Sequence, residues 1–136
     1  MIDMEIEEIF DSATSVIIYN DGVKKEYAKG GEEFEKILLN WNDMLVGCHP
    51  MPAFGVSIDR ETVKEMKSGL WAEFVFGQTL EYNGMPFENL LVKVVGEYCG
   101  FNLIRYNAEH GYDGRCYYID LVNKNMSDFY DFLVDL

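Results

Sequence analysis

Cations, histidine and proline are all scarce in this chain. Eleven Lys and Arg stand against 24 Asp and Glu, a formal charge of -13 over 136 residues. A phosphate backbone is repelled by such a field, because nucleic-acid binding draws most of its free energy from Lys and Arg neutralising phosphates. Binding to DNA or RNA is therefore not expected. Two histidines, His49 and His110, give few ways to build a nucleophile–base–carboxylate triad. With three cysteines (Cys48, Cys99, Cys116) they form no Cys-x-x-Cys or His-x-x-x-His pair, so neither a zinc site nor any other metal site is expected.

Other absences bound location and class. An odd number of widely spaced cysteines is not the framework of a secreted disulfide protein. No stretch approaches the roughly twenty apolar residues of a membrane helix, and Met1 to Glu5 lacks the basic flank of a signal peptide. The expectation is a reduced, cytoplasmic protein with no membrane contact. Glycine-rich phosphate loops are missing too: Lys29-Gly30-Gly31 has neither the preceding glycines nor the following Ser or Thr, so no nucleotide cofactor is expected. Without repeats or Pro/Gly/Ser-rich linkers, residues 1–136 read as one domain.

What is abundant is apolar and aromatic material, 49% and 15% of the chain. That is enough for a core that needs no disulfide or metal. Ile2, Ile6, Ile9 and Phe10 fall at helical spacing. Ser15 to Tyr19 and Val23 to Tyr27 flank Asn20-Asp21-Gly22, the signature of a tight hairpin. Phe34, Ile37, Leu38, Trp41 and Leu45 form the clearest helical stripe, with Glu32, Glu33 and Glu35 in its favourable first turn. Ala53 to Ile58 reads as a short strand, Asp59 as the cap of a brief helix to Lys67, and Leu70 to Phe76 as a strand. After a turn at Asn83 to Pro86, further strands are expected at Leu90 to Val95, Phe101 to Tyr106 and Arg115 to Val122, before a last helix capped by Ser127. Short connections favour antiparallel neighbours. The fold expected is α+β, a mainly antiparallel twisted sheet of about five to six strands with about two or three helices packed on one face, burying Trp41 and Phe34.

Chemistry is harder to locate. Cys116, His110 and Asp113 make the most compact nucleophile arrangement, but strand alternation gives no reason for the thiol to face the histidine. The segment Asn107 to Gly114 carries His110, Tyr112 and Asp113 and is flanked by Arg105 and Arg115, two of the three arginines. In a hairpin those arginines would sit near one end of the sheet and could hold an anion. Ordinary ion pairing with the surplus carboxylates is the more common reason for such arginines. Tyrosines gather in the same region, Tyr117 and Tyr118 on opposite faces by alternation.

Two functional expectations result. The first is a non-catalytic protein-binding module whose acidic surface engages a basic protein, in the manner of an inhibitor or neutraliser. The alternative is a small-molecule or anion-binding protein, conceivably an enzyme, with its site at Arg105, His110, Tyr112, Asp113 and Arg115. Self-association through an open sheet edge is a third arrangement compatible with the pattern.

Overall fold

The computed structural model describes residues 6–53, 55, 57–82 and 84–136. Four helices, α1 (Ile6–Asp11), α2 (Glu32–Leu45), α3 (Asp59–Glu65) and α4 (Ser127–Val134), accompany seven strands. The strands are β1 (Ser15–Asn20), β2 (Val23–Ala28), β3 (His49–Pro52), β4 (Leu70–Tyr82), β5 (Met85–Val94), β6 (Gly100–Asn107) and β7 (Gly111–Asp120). They form one sheet in the order β2-β1-β4-β5-β6-β7-β3, antiparallel at every described pairing.

The architecture is α+β, but the sheet has seven strands where five or six were expected. The extra strand is His49–Pro52, which pairs with β7 despite its two prolines because it lies at the sheet edge, where a missing N–H costs no ladder bond. The expected strand at Ala53 to Ile58 falls partly outside the described residues, and Ala53, Ser57 and Ile58 are not in a strand. Several other strands begin earlier or run longer than the apolar pattern suggests. β4 continues to Tyr82 across a register shift, and β7 starts at Gly111 rather than Arg115. Neither predicted cap is made by its side chain: Asp59 is the first residue of α3, and Ser127 follows Met126 at the start of α4.

The first hairpin forms as its turn chemistry demands, with Asp21 and Gly22 both at positive φ (50° and 87°). Alternation along the strands sends one set of side chains to each face. On one face Val16, Ile18, Phe74, Leu90, Phe101 and Ile119 meet α1, α2 and α4 in the main core. Trp41 and Phe34 are fully buried there, as the helical stripe implies. Trp41 touches Phe10, Phe74, Phe101 and Phe129, with ring centroids 4.7–5.3 Å apart.

The other face is covered differently. There α3 is the described helix, and Met66 at its end packs on Trp71, Leu91 and Ile104 in a second, smaller cluster. The helices thus divide between the two faces instead of sharing one. Most of this second face is left to polar and aromatic side chains.

Candidate functional site

β7 decides which residues reach the second face. Asn107 faces Gly111 and Tyr106 faces Tyr112, but Ile104 then faces Arg115 and Asn102 faces Tyr118. At each step two β7 residues stand opposite one of β6, so the strand carries two bulges. A bulge reverses the inward–outward alternation beyond it. Uninterrupted pairing from the turn would put Arg115 opposite Leu103, on the helical face. The first bulge turns it to the second face beside Ile104, and the second bulge brings Tyr118 to that face as well.

Arg105 goes the other way. It pairs with Leu90 of the helical face, its guanidinium donates to the Pro86 carbonyl at 3.2 Å, and it lies against Gly114. His110 is exposed in the turn, 3.8 Å from Glu109. Asp113 is exposed as well. The five residues expected to form one site are therefore dispersed. Tyr112 and Arg115 share the second face, Arg105 lies opposite, and His110 and Asp113 face solvent.

Tyr112 belongs instead to a cluster with no counterpart in the sequence analysis. Glu73, in the middle of β4, is 1% exposed. Its Oε1 accepts from the Tyr19 hydroxyl at 2.7 Å, and its Oε2 accepts from the Tyr112 hydroxyl at 2.7 Å and from Asn89 Nδ2 at 3.1 Å. Three neutral donors from β1, β7 and β5 thus hold one buried carboxylate, and no ion pair among the described residues includes it. Burial, followed by the adjacent Glu73 charge and the hydrogen bond to it, pushes the ionisation of both phenols far above the usual range. Both remain donors. The signal was present in the sequence: Glu73 interrupts the run Leu70 to Phe76, which is apolar at both alternating sets of positions, so it had to be buried and satisfied.

Next to this cluster the second face opens into a cleft of about 530 Å³, with Trp71, Lys93, Asn102, Ile104, Arg115 and Tyr118 among its lining. It lies beside β5 and β6. They pair through Asn89–Tyr106, Leu90–Arg105 and Leu91–Ile104, and among the described residues no pair continues to Lys93 and Asn102. Lys93 lies over the Trp71 ring, 5.6 Å from its centroid, and Arg115 Nε donates to Ser57 Oγ at 2.8 Å. Tyr118 packs so closely on Gly100 that its hydroxyl occupies the place of a Cβ, which is why glycine stands there.

The helical layer has the opposite character. Glu8 and Asp11 on α1, Glu32, Glu33, Glu35 and Asp43 on α2, Asp128 and Asp131 on α4, and Asp135 just past its end are all exposed. Among the described side chains of these helices, Lys36 is the single cation, and it pairs with Glu32 at 3.0 Å. Between α2 and the start of α4 runs a groove of about 440 Å³ with Asn40, Asp43, Asn125 and Asp128 on its walls. Lys124, also at this groove, donates to the Val46 carbonyl at 2.7 Å. Leu39, Val46, Tyr130 and Val134 are exposed on the same two helices or at their ends.

The thiol arrangement fails on geometry and chemistry alike. Cys116 is buried at the second bulge, where desolvation pushes its pKa up to about 12 and keeps it protonated. Among the described residues, no group of three or more His, Cys, Asp or Glu could hold a metal ion. No described helix is long and apolar enough to cross a membrane. Comparison with protein-family models, curated proteins and solved structures gave no match.

Proposed function

We propose that this chain is a non-catalytic binding module that engages a basic protein through the α2–α4 side of its helical layer. The observation carrying the reading is the groove in which Asp43 and Asp128 sit among the exposed carboxylates of the three helices. A field of one sign over a contiguous surface steers an oppositely charged partner and raises its association rate. Leu39 (61% exposed) and Val46 (63%) add apolar surface, which an interface needs in addition to charge. A lysine or arginine side chain of the partner can pair with these aspartates, and the amide oxygen of Asn40 can accept from one of its remaining donors.

The test is capture of the partner from native cytosol, its identification, and binding kinetics with the purified pair. Association should slow at least tenfold between about 0.05 and 0.5 M salt, because the Debye length shrinks well below 10 Å over that range. Asp43→Asn with Asp128→Asn should weaken the complex, whereas Arg115→Gln should leave it unchanged. An acidic or nucleic-acid partner, or a complex indifferent to the two aspartates and to salt, would refute the reading.

A further inference from the structure

The geometry points to the cleft on the second sheet face as a binding site for a small planar heteroaromatic carboxylate that carries an N–H donor. This inference is independent of the acidic helical layer, which lies across the sheet.

Three observations define the ligand. The first is charge: Lys93 and Arg115 enter the cleft from β5 and β7, with the β6 residues Asn102 and Ile104 between them. In a chain so short of cations, two bordering one cleft select for an anion. Glu65 and Glu97, both exposed, also border the cleft and oppose a second negative charge. A monoanion therefore fits better than a phosphate dianion.

The second observation is an unanswered acceptor. The Asn102 amide oxygen is buried and has no hydrogen-bond donor among the described residues. A buried polar atom left so costs free energy that a bound donor recovers. The third observation is shape. Ile104, Trp71 and Tyr118 give the cleft apolar walls, Tyr98 stands 44% exposed at its border, and about 530 Å³ suits a molecule of one or two fused rings with substituents. Aromatic side chains among the lining favour a planar body over a branched one.

Indole-2-carboxylate is a suitable probe, titrated into ¹⁵N-labelled protein and followed by amide shifts. Saturable binding with a Kd between roughly 10 µM and 1 mM is expected, with shifts centred on Lys93, Asn102, Arg115 and Tyr118. Arg115→Gln should weaken it about tenfold, and Arg105→Gln, on the opposite face, should have no effect. Naphthalene-2-carboxylate, which lacks the N–H, should bind about threefold or more weakly, and the uncharged indole carboxamide more weakly still. Should Arg115→Gln disturb folding through its bond to Ser57, Lys93→Gln gives the same reading. Cys99, exposed at the cleft, supplies a second measurement, since bound ligand should slow its alkylation. Absence of saturable binding at millimolar probe, equal affinity for carboxylate and carboxamide, or shifts located away from the cleft would overturn the inference.

Discussion

Glu73 is the one buried carboxylate among the described residues, and its three donors come from three different strands. Replacing it with Gln keeps the shape and removes the charge. The cost should be about 1 to 3 kcal/mol, the range for disturbing hydrogen bonds to a buried charged group. The more telling readout is ultraviolet titration of the tyrosines. With the negative neighbour gone, Tyr19 and Tyr112 should ionise at lower pH than in the wild type, though burial still holds them above the ordinary phenol value. An unaltered titration curve would mean that the Glu73 charge has no part in the shift. The same phenols and Cys116 set an alkaline limit. Each has a native pKa above its unfolded one, so above about pH 9 for the thiol and about pH 10 for the phenols the unfolded chain releases protons that the native protein retains. Their contribution to stability is complete below those values and is lost as pH rises. Denaturant melts at pH 8 and pH 11 should show the lower midpoint at pH 11. In native protein at pH 8, a thiol reagent should modify Cys99 quickly and Cys116 only after unfolding.

At the scale of elements, α2 holds the main core together through Trp41. Its ring is surrounded by aromatic side chains from α1, β4, β6 and α4, so Trp41→Ala opens a cavity that no neighbour can fill without leaving its own rotamer. A loss of about 3 to 5 kcal/mol is expected. Trp41→Phe should cost less than half as much, because the indole N–H finds no acceptor among the described residues and its removal relieves an unsatisfied donor. Chemical denaturation of the two variants checks this, and equal losses would show that the volume Phe retains contributes nothing and that the indole itself is needed. The sheet edges are a second property of elements. β2 presents exposed Lys24 and Lys25, and β3 carries Pro50 and Pro52, two devices that oppose edge-to-edge pairing.

For the whole molecule, charge is segregated as well as unbalanced. Among the described residues, nine exposed carboxylates lie on or next to the three helices of one side, while on the other Lys93 and Arg115 offset Glu65 and Glu97 at the cleft. Mutual repulsion across the helical layer opposes folding, and salt screens it. Raising sodium chloride from about 0.02 to 0.3 M should increase the melting temperature by about 3 °C, equivalent to roughly 1 kcal/mol for a domain of this size. A melting temperature that falls with salt would show that attractive pairs outweigh the repulsion. The same segregation separates the two proposed binding surfaces, so a ligand in the cleft would leave the acidic groove open.

The amino-acid sequence determined the local elements whose cause is local. Asp21-Gly22 dictates a hairpin, the Phe34 to Leu45 stripe a helix with Trp41 inward, and the short connections an antiparallel sheet. It also determined the acidic character of the helical layer, since α2 and α4 place their Asp and Glu opposite their apolar stripes. Tertiary structure alone decided the faces of β6 and β7. Arg105 and Arg115 look equivalent around the turn, yet the first bulge of β7 turns Arg115 to the cleft while Arg105 stays on the helical side. Bulges depend on how a strand accommodates both of its neighbours, so alternation counted along one strand cannot locate them. Glu73 lies between these cases. Its burial was readable from the apolar run around it, but Tyr19, Asn89 and Tyr112 come together only when β1, β5 and β7 are brought to their places in one sheet.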